Sequence, residues 1–150
     1  MAAALRMLGR RDHSCAELAA KLAAKGHGPD EVARVLSRLQ ELKYLDDRRL
    51  ADRLAAVLSA SGRGVGRRLV LELRRRGIPP ELAAAVAAAS SEASDDLAVA
   101  RELLARRYPT FGPAADLRER RRVMHFLQRR GFAMDTIWQV VNFTDIEETE

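Results

Sequence analysis

The chain has 150 residues, of which 47% are hydrophobic, 31% charged and only 5% aromatic, with a formal net charge of +5. This profile excludes a disordered tail protein, and the longest apolar stretch, Leu82 to Ala89, falls far short of the roughly 18 residues that a membrane span needs. A pI near 10.1 favours polyanions or acidic protein surfaces as partners and is silent about fold.

In chain order, a short helix is expected over Ala3 to Arg10, followed by Ser14-x-x-Glu17, a capping box that opens a helix ending at Lys25. Gly26 then ends that helix, because cations complement the last turn and glycine accepts the left-handed conformation past the cap. Pro29, with Asp30 and Glu31 behind it, has the chemistry of a helix first turn. Asp46 or Asp47 caps a helix through about Ser59, with Leu50, Leu54, Val57 and Leu58 at helical spacing. Gly62 to Gly66 is a loop, the next helix runs to Arg76 and stops at Gly77, and Pro80-Glu81 opens another. Ser90 to Ser94 is the softest boundary. Ser94 or Asp95 opens a helix through Arg107, with Leu97, Leu103 and Leu104 inward, and Tyr108-Pro109 ends it. After a loop at Pro109 to Pro113 come a middle helix, with Val123, Phe126 and Leu127 inward, and a last helix after Gly131. No alternating Val/Ile/Thr run suggests a strand.

Three segments align without gaps: LAAKGHGPDEVARVL from Leu22, LRRRGIPPELAAAV from Leu73 and LQRRGFAMDTIWQVV from Leu127. Each has a Leu four residues before a Gly, basic residues directly before that Gly, and apolar positions six and nine residues after it. Two helices joined by so short a connection cross steeply, as in a helix-turn-helix hairpin. The chain therefore reads as all-α, an elongated tandem array of three three-helix units over residues 1–45, 46–92 and 93–144, with an acidic tail at 145–150. Such an array closes its core without a second copy, so a monomer is expected.

Catalytic chemistry finds little support. His13, His27 and His125 lack the spacing of metal ligands, no phosphate-binding glycine motif is present, and neither a cofactor nor a metal is expected. Cys15 is alone, so it forms no internal disulfide and reads as a small helix residue. The pairs Asp46-Asp47 and Asp95-Asp96 could bind metal, but helix N-termini favour acids on dipole grounds alone, and the cap reading is preferred. Trp138 is read as packing or as a partner contact near the C-terminus, with packing preferred. The N-terminal sequence has no charged region ahead of its short apolar segment, so a cytoplasmic protein is expected.

The charge is unevenly placed. Between positions 63 and 76 six arginines face Glu72 alone, whereas residues 131–150 carry acids and no cation. Only Lys21, Lys25 and Lys43 among the 26 cations are lysine, and arginine suits bidentate pairing with carboxylate or phosphate. Arg67, Arg68, Arg74 and Arg75 occupy the face opposite Leu69, Val70 and Leu73, and Arg118, Arg121, Arg122 and Arg129 form an outward row in the third unit. These eight arginines are the candidate partner- or DNA-binding residues, acting chiefly on phosphate, since Gln128 is the one Asn, Gln or Lys that accompanies them, too little to suggest a base-reading code.

Four runs in order, ALRMLGRRDHSCAELAAKLAAKG, YLDDRRLADRLA, LVLELRRRGI and RRVMHFLQRRGFAMDTIWQVV, resemble the RecX recombination regulators over nearly the whole chain. That resemblance implies a fold of tandem three-helix repeats and a non-enzymatic regulator. It would bind the RecA recombinase, dock in the groove of its nucleoprotein filament and restrain ATP hydrolysis, strand exchange and co-protease activity; some members also bind DNA. The expected partners are thus the RecA filament and single-stranded DNA or the DNA phosphate backbone, with no membrane. This chain departs from the family where Leu50 replaces a usual Phe, where Leu54 stands near a usual aromatic, where Ser59 lies near a missing Arg, and where Gly64-Val65-Gly66 replaces a Gly-Pro approach. The rival reading is a sequence-independent DNA-binding repeat protein that competes for DNA.

Overall fold

The computed structural model describes residues 1–142; the acidic segment 145–150, Phe143 and the end of the third unit lie outside the described residues. Among those described there are nine α-helices and no strand: α1 (Ala2–Leu8), α2 (Cys15–Ala24), α3 (Pro29–Glu41), α4 (Asp47–Ala60), α5 (Gly66–Arg75), α6 (Pro80–Ala93), α7 (Asp96–Arg107), α8 (Leu117–Arg130) and α9 (Met134–Asn142).

Capping chemistry places the starts. The Ser14 hydroxyl accepts from Glu17 N–H at 3.1 Å while Glu17 Oε2 accepts from Ser14 N–H at 3.2 Å, which satisfies two orphan donors of α2 reciprocally. Asp46, Asp95 and Asp116 accept from the amides of Arg49, Ala98 and Glu119. The acidic pairs are therefore used locally: Asp46 and Asp95 are N-caps, Asp47 Oδ1 accepts from Cys15 N–H at 2.8 Å, and Asp96 accepts from the Ser94 hydroxyl. Pro29 and Pro80 open α3 and α6, where no intrahelical N–H is needed.

One motif ends α2, α5 and α8. Gly26, Gly77 and Gly131 have φ of +92°, +80° and +95°. The amides of His27, Ile78 and Phe132 reach back to the carbonyls of Leu22, Leu73 and Leu127 at 3.2, 3.1 and 3.3 Å. That is the six-to-one bond of a Schellman motif, and the residue whose carbonyl accepts it is in each case a leucine buried in the core.

Each set of three helices encloses its own apolar cluster. The first contains Leu18, Leu22, Val32 and Leu39; the second Leu50, Leu69, Leu73 and Val86; the third Val123, Phe126, Leu127 and Ile137. The substantial helix packing lies within these sets: α1 and α3 against α2, all three pairs among α4 to α6, and α7 and α8 against α9. Burial of a leucine such as Leu73 contributes about 1.5–3 kcal/mol, so each small cluster depends on a handful of side chains.

Two expectations are corrected. Val57 is 57% exposed, because the buried stripe of α4 runs through Ala51, Ala55 and Ser59, whose small side chains let α6 come close. The Ser59 and Ser90 hydroxyls hydrogen-bond at 2.9 Å across that contact. The alanine-rich α6 continues through Ser90 to Ala93 and breaks at Ser94, the last residue of the segment read as the softest boundary. Finally, α1 stops at Leu8, two residues short of Arg10, where Gly9 takes the cap position.

Neighbouring sets meet at two joints, each built on a glycine turn. At the first, Gly77 sits on the start of α2: a Cβ there would lie 2.5 Å from Ser14 Oγ and 3.1 Å from Ala16 Cβ. At the second, Gly131 sits on the start of α5, where a Cβ would lie 2.0 Å from the Val65 carbonyl oxygen, and Val65 N–H donates to the Arg130 carbonyl at 3.0 Å. Val65 itself is buried in the third cluster, although it caps a helix of the second set.

Candidate functional site

The arginines of α5 divide by environment. Arg67 and Arg74, one heptad apart, are exposed and have no carboxylate within ion-pair reach among the described residues. Arg68 is only partly exposed and pairs with Glu72 at 2.7 Å, while Arg75 reaches the same Glu72 oxygen at 3.2 Å. One carboxylate thus moderates half of this row, and the geometry of Arg68 is set from both sides, by Glu72 and by the approach of Gly131 to its backbone.

On α8, Arg118, Arg121, Arg122 and Arg129 are all exposed, again with no carboxylate partner among the described residues. The repeat of the helix puts Arg118, Arg122 and Arg129 on one stripe, and the exposed His125 completes it at the turn between Arg122 and Arg129. His125 is a member of the row that residue type alone did not mark.

Tertiary structure brings one residue of each row together. Arg68 and Arg129 line an open groove of about 480 Å³ at the second joint, with Leu58, Arg63, Glu72 and Arg130. A second open depression of about 350 Å³ shares Arg63 and Arg130 and adds Leu103, Arg106 and Arg107. Arg130 is held in place by its guanidinium, which lies 5.0 Å from the Phe126 ring centroid and reaches the Gly62 carbonyl at 3.5 Å. Arg63 donates to Ser61 Oγ at 3.2 Å. Arg63, Arg106, Arg107 and Arg130 belong to neither candidate row; Arg63 and Arg130 stand beside glycines of the joint, a signal present in the sequence, whereas Arg106 and Arg107 end α7 and are brought there by packing.

Titratable groups near the first joint have structural partners. Glu17 is pushed up by burial, but the hydrogen bonds from Arg76, Arg11 and the Ser14 amide outweigh this and hold its carboxyl below the usual value. The buried His13 lies 2.9 Å from the Arg11 carbonyl through Nδ1 and 3.1 Å from Lys21 Nζ through Nε2. That arrangement fits a neutral ring, Nδ1–H donating and Nε2 accepting, and burial lowers its pKa. Burial, followed by the Asp47 carboxylate, pushes the Cys15 thiol up to about 11, which suits a packed residue better than a nucleophile. No group of three His, Cys, Asp or Glu side chains able to hold a metal occurs among the described residues.

Two further surfaces have less chemistry. An open groove of about 420 Å³ is lined mostly by small residues of α4 and α6, including Ala55, Ala89 and Ala93. Trp138 is 49% exposed, which corrects the packing expectation: the buried stripe of α9 passes through Ile137, Val140 and Val141, and Trp138 falls beside it with Met134 one turn away. No helix among the described residues is long and apolar enough to cross a membrane.

Comparison with known proteins gives a consistent set of similarities. Residues 1–39 match the family model described as RecX, first three-helix domain, and residues 94–141 match RecX, third three-helix domain. A protein named Regulatory protein RecX from Trichlorobacter lovleyi is 48% identical over 139 residues, covering 92% of this chain and 90% of the relative. Its namesake from Halorhodospira halophila is 43% identical over 136 residues, covering 90% and 81%. A crystal structure of RecX from Lactobacillus salivarius superposes with a TM-score of 0.75 at 21% identity, over 96% of this chain and 93% of that one, a likeness of fold.

Proposed function

This chain belongs to the RecX family of regulatory proteins, and from that premise we propose that it is a non-enzymatic regulator of homologous recombination and DNA repair acting on the RecA nucleoprotein filament. It binds across neighbouring recombinase protomers and their DNA, and so restrains ATP hydrolysis, strand exchange and co-protease activity. The cytoplasm, where such filaments form, is its place of action.

The observation that carries this reading is the pair of exposed arginine sets on equivalent helices, α5 and α8, of units connected in series. Linked units gain through effective concentration, so several weak contacts along a filament hold firmly without a deep pocket. A ligand that bridges protomers opposes any rearrangement that accompanies turnover, to the extent that it binds one arrangement better than the other. Inhibition then needs no reacting group on the inhibitor.

The test titrates the purified protein into a preformed RecA filament on single-stranded DNA at saturating ATP and follows hydrolysis. Inhibition well below one protein per recombinase is expected, and it weakens when Arg118, Arg121, Arg122 and Arg129 are all replaced by Glu. Unchanged hydrolysis at excess protein overturns the reading. Equal affinity for bare and recombinase-coated DNA, with no binding to free recombinase, replaces it with simple competition for DNA.

A further inference from the structure

The two joints are equivalent in construction and differ in charge balance. Ser14 and Val65 are the N-caps of α2 and α5, and the glycines that rest on them, Gly77 and Gly131, follow arginine pairs at the ends of α5 and α8. Counting from the caps, Asp12 and Glu17 at the first joint correspond to Arg63 and Arg68 at the second. Across the joint, Arg75 and Arg76 correspond to Arg129 and Arg130.

At the first joint the charges close on each other. Arg76 Nε donates to Glu17 Oε1 at 2.9 Å and its Nη2 to the Asp12 carbonyl at 3.2 Å, while Arg53 pairs with the Asp12 carboxylate. At the second joint the same positions set arginine against arginine. Glu72 is the one carboxylate lining that groove, and Arg68 and Arg75 already share it. Arg63, Arg129 and Arg130 have no carboxylate within reach among the described residues. The start of α5, with Val65 as its cap, also lacks the side-chain cap that α2 has in Ser14, which adds the positive end of a helix to the same place.

We propose that the second joint is a phosphodiester-binding groove, in which Arg63, Arg68, Arg129 and Arg130 hold the backbone of a nucleic-acid strand. Like charges that converge in a fold without mutual neutralisation raise the local concentration of an anion that can lie between them. The guanidinium forks match the paired oxygens of a phosphate, and the arginine-lined depression beyond Arg63 and Arg130 continues the track past a single phosphate. Leu58, half-buried on the wall, offers apolar surface to a base without reading it. The inference deepens the proposed function, on which it rests for nucleic acid as a partner, by assigning that contact to a joint and not to a helix face.

Fluorescence anisotropy with a labelled oligothymidylate, measured over a salt series, tests the groove. The double variant Arg63→Ala/Arg129→Ala is expected to bind about tenfold more weakly or worse and to reduce the slope of log K against log salt by about 1.4, the loss of two single-strand phosphate contacts. Arg6→Ala/Arg10→Ala, with the same change in net charge on exposed residues of the first set, leaves the slope unchanged. Arg68→Glu places at the second joint the acid that Glu17 supplies at the first; it is expected to abolish oligonucleotide binding while a cooperative thermal transition shows that the variant still folds. Wild-type affinity and slope in both groove variants overturn the inference, as does a loss confined to binding of polyglutamate or of free recombinase. If wild-type protein binds the oligonucleotide through the groove but leaves recombinase hydrolysis untouched, the regulator reading fails and the groove stands.

Discussion

Glu17 and Arg76, 59 residues apart in sequence, meet at 2.9 Å and tie the first three-helix set to the second. The same carboxylate accepts from Arg11 at 3.1 Å and completes the capping box of α2 through the Ser14 amide. Local helix initiation and long-range docking therefore depend on one side chain, 16% exposed. Glu17→Ala is expected to cost about 2–3 kcal/mol, because it strips a charged acceptor from two guanidinium groups and a backbone amide at once. A urea titration measures this, and a loss within experimental error of zero would show that the contact is incidental.

The two groups at this joint give an acid response in two stages. His13 has its pKa depressed by burial, so the unfolded chain binds the proton more readily; the stability it contributes is present above its ordinary value of 6.5 and falls away as pH drops below that. Glu17 is held below its ordinary 4.5, so its contribution persists to lower pH and is lost only as pH falls below 4.5. Stability against urea is expected to decline first below about pH 6.5 and again below about pH 4.5. His13→Gln removes the first decline and leaves the second. A first decline that survives this substitution refutes the assignment.

Gly26, Gly77 and Gly131 share one backbone conformation but differ in surroundings. A Cβ on Gly26 meets nothing within 4 Å, so Gly26→Ala is expected to cost only the left-handed conformation, about 1–2 kcal/mol. Gly131→Ala brings the same conformational cost and in addition drives a methyl group into the Val65 carbonyl oxygen and Arg68. The joint must open and lose the bond from Val65 N–H to Arg130, so the expected cost is more than about 3 kcal/mol. Equal midpoints for the two variants in parallel urea titrations would remove the special role assigned to the second joint.

Much of the fold is legible in the sequence because its causes are local. Ser14-x-x-Glu17, Asp46, Asp95, Pro29 and Pro80 act on backbone groups within a turn of themselves, and the Leu-to-Gly spacing is the reach of one Schellman bond. Inward positions such as Leu69, Leu73, Val123 and Leu127 follow from helical periodicity. Periodicity failed at Val57, which lies outside a stripe set by the small residues Ala51, Ala55 and Ser59, and residue type failed at Trp138, which lies beside the stripe of Ile137, Val140 and Val141.

By itself, then, the sequence determined an all-α chain of three like units, their capping and turn chemistry, and which arginines stand on outward helix faces. Only the tertiary structure decided which charges meet. Arg68 and Arg129 come from separate rows and different units, Arg63 from a loop and Arg130 from the last position of α8, yet they line one groove, whereas Arg76 is consumed by Glu17. An ion pair depends on distance through space, and the joints set those distances by stacking one unit's glycine turn on the helix start of the unit before it, a relation that no local sequence period encodes.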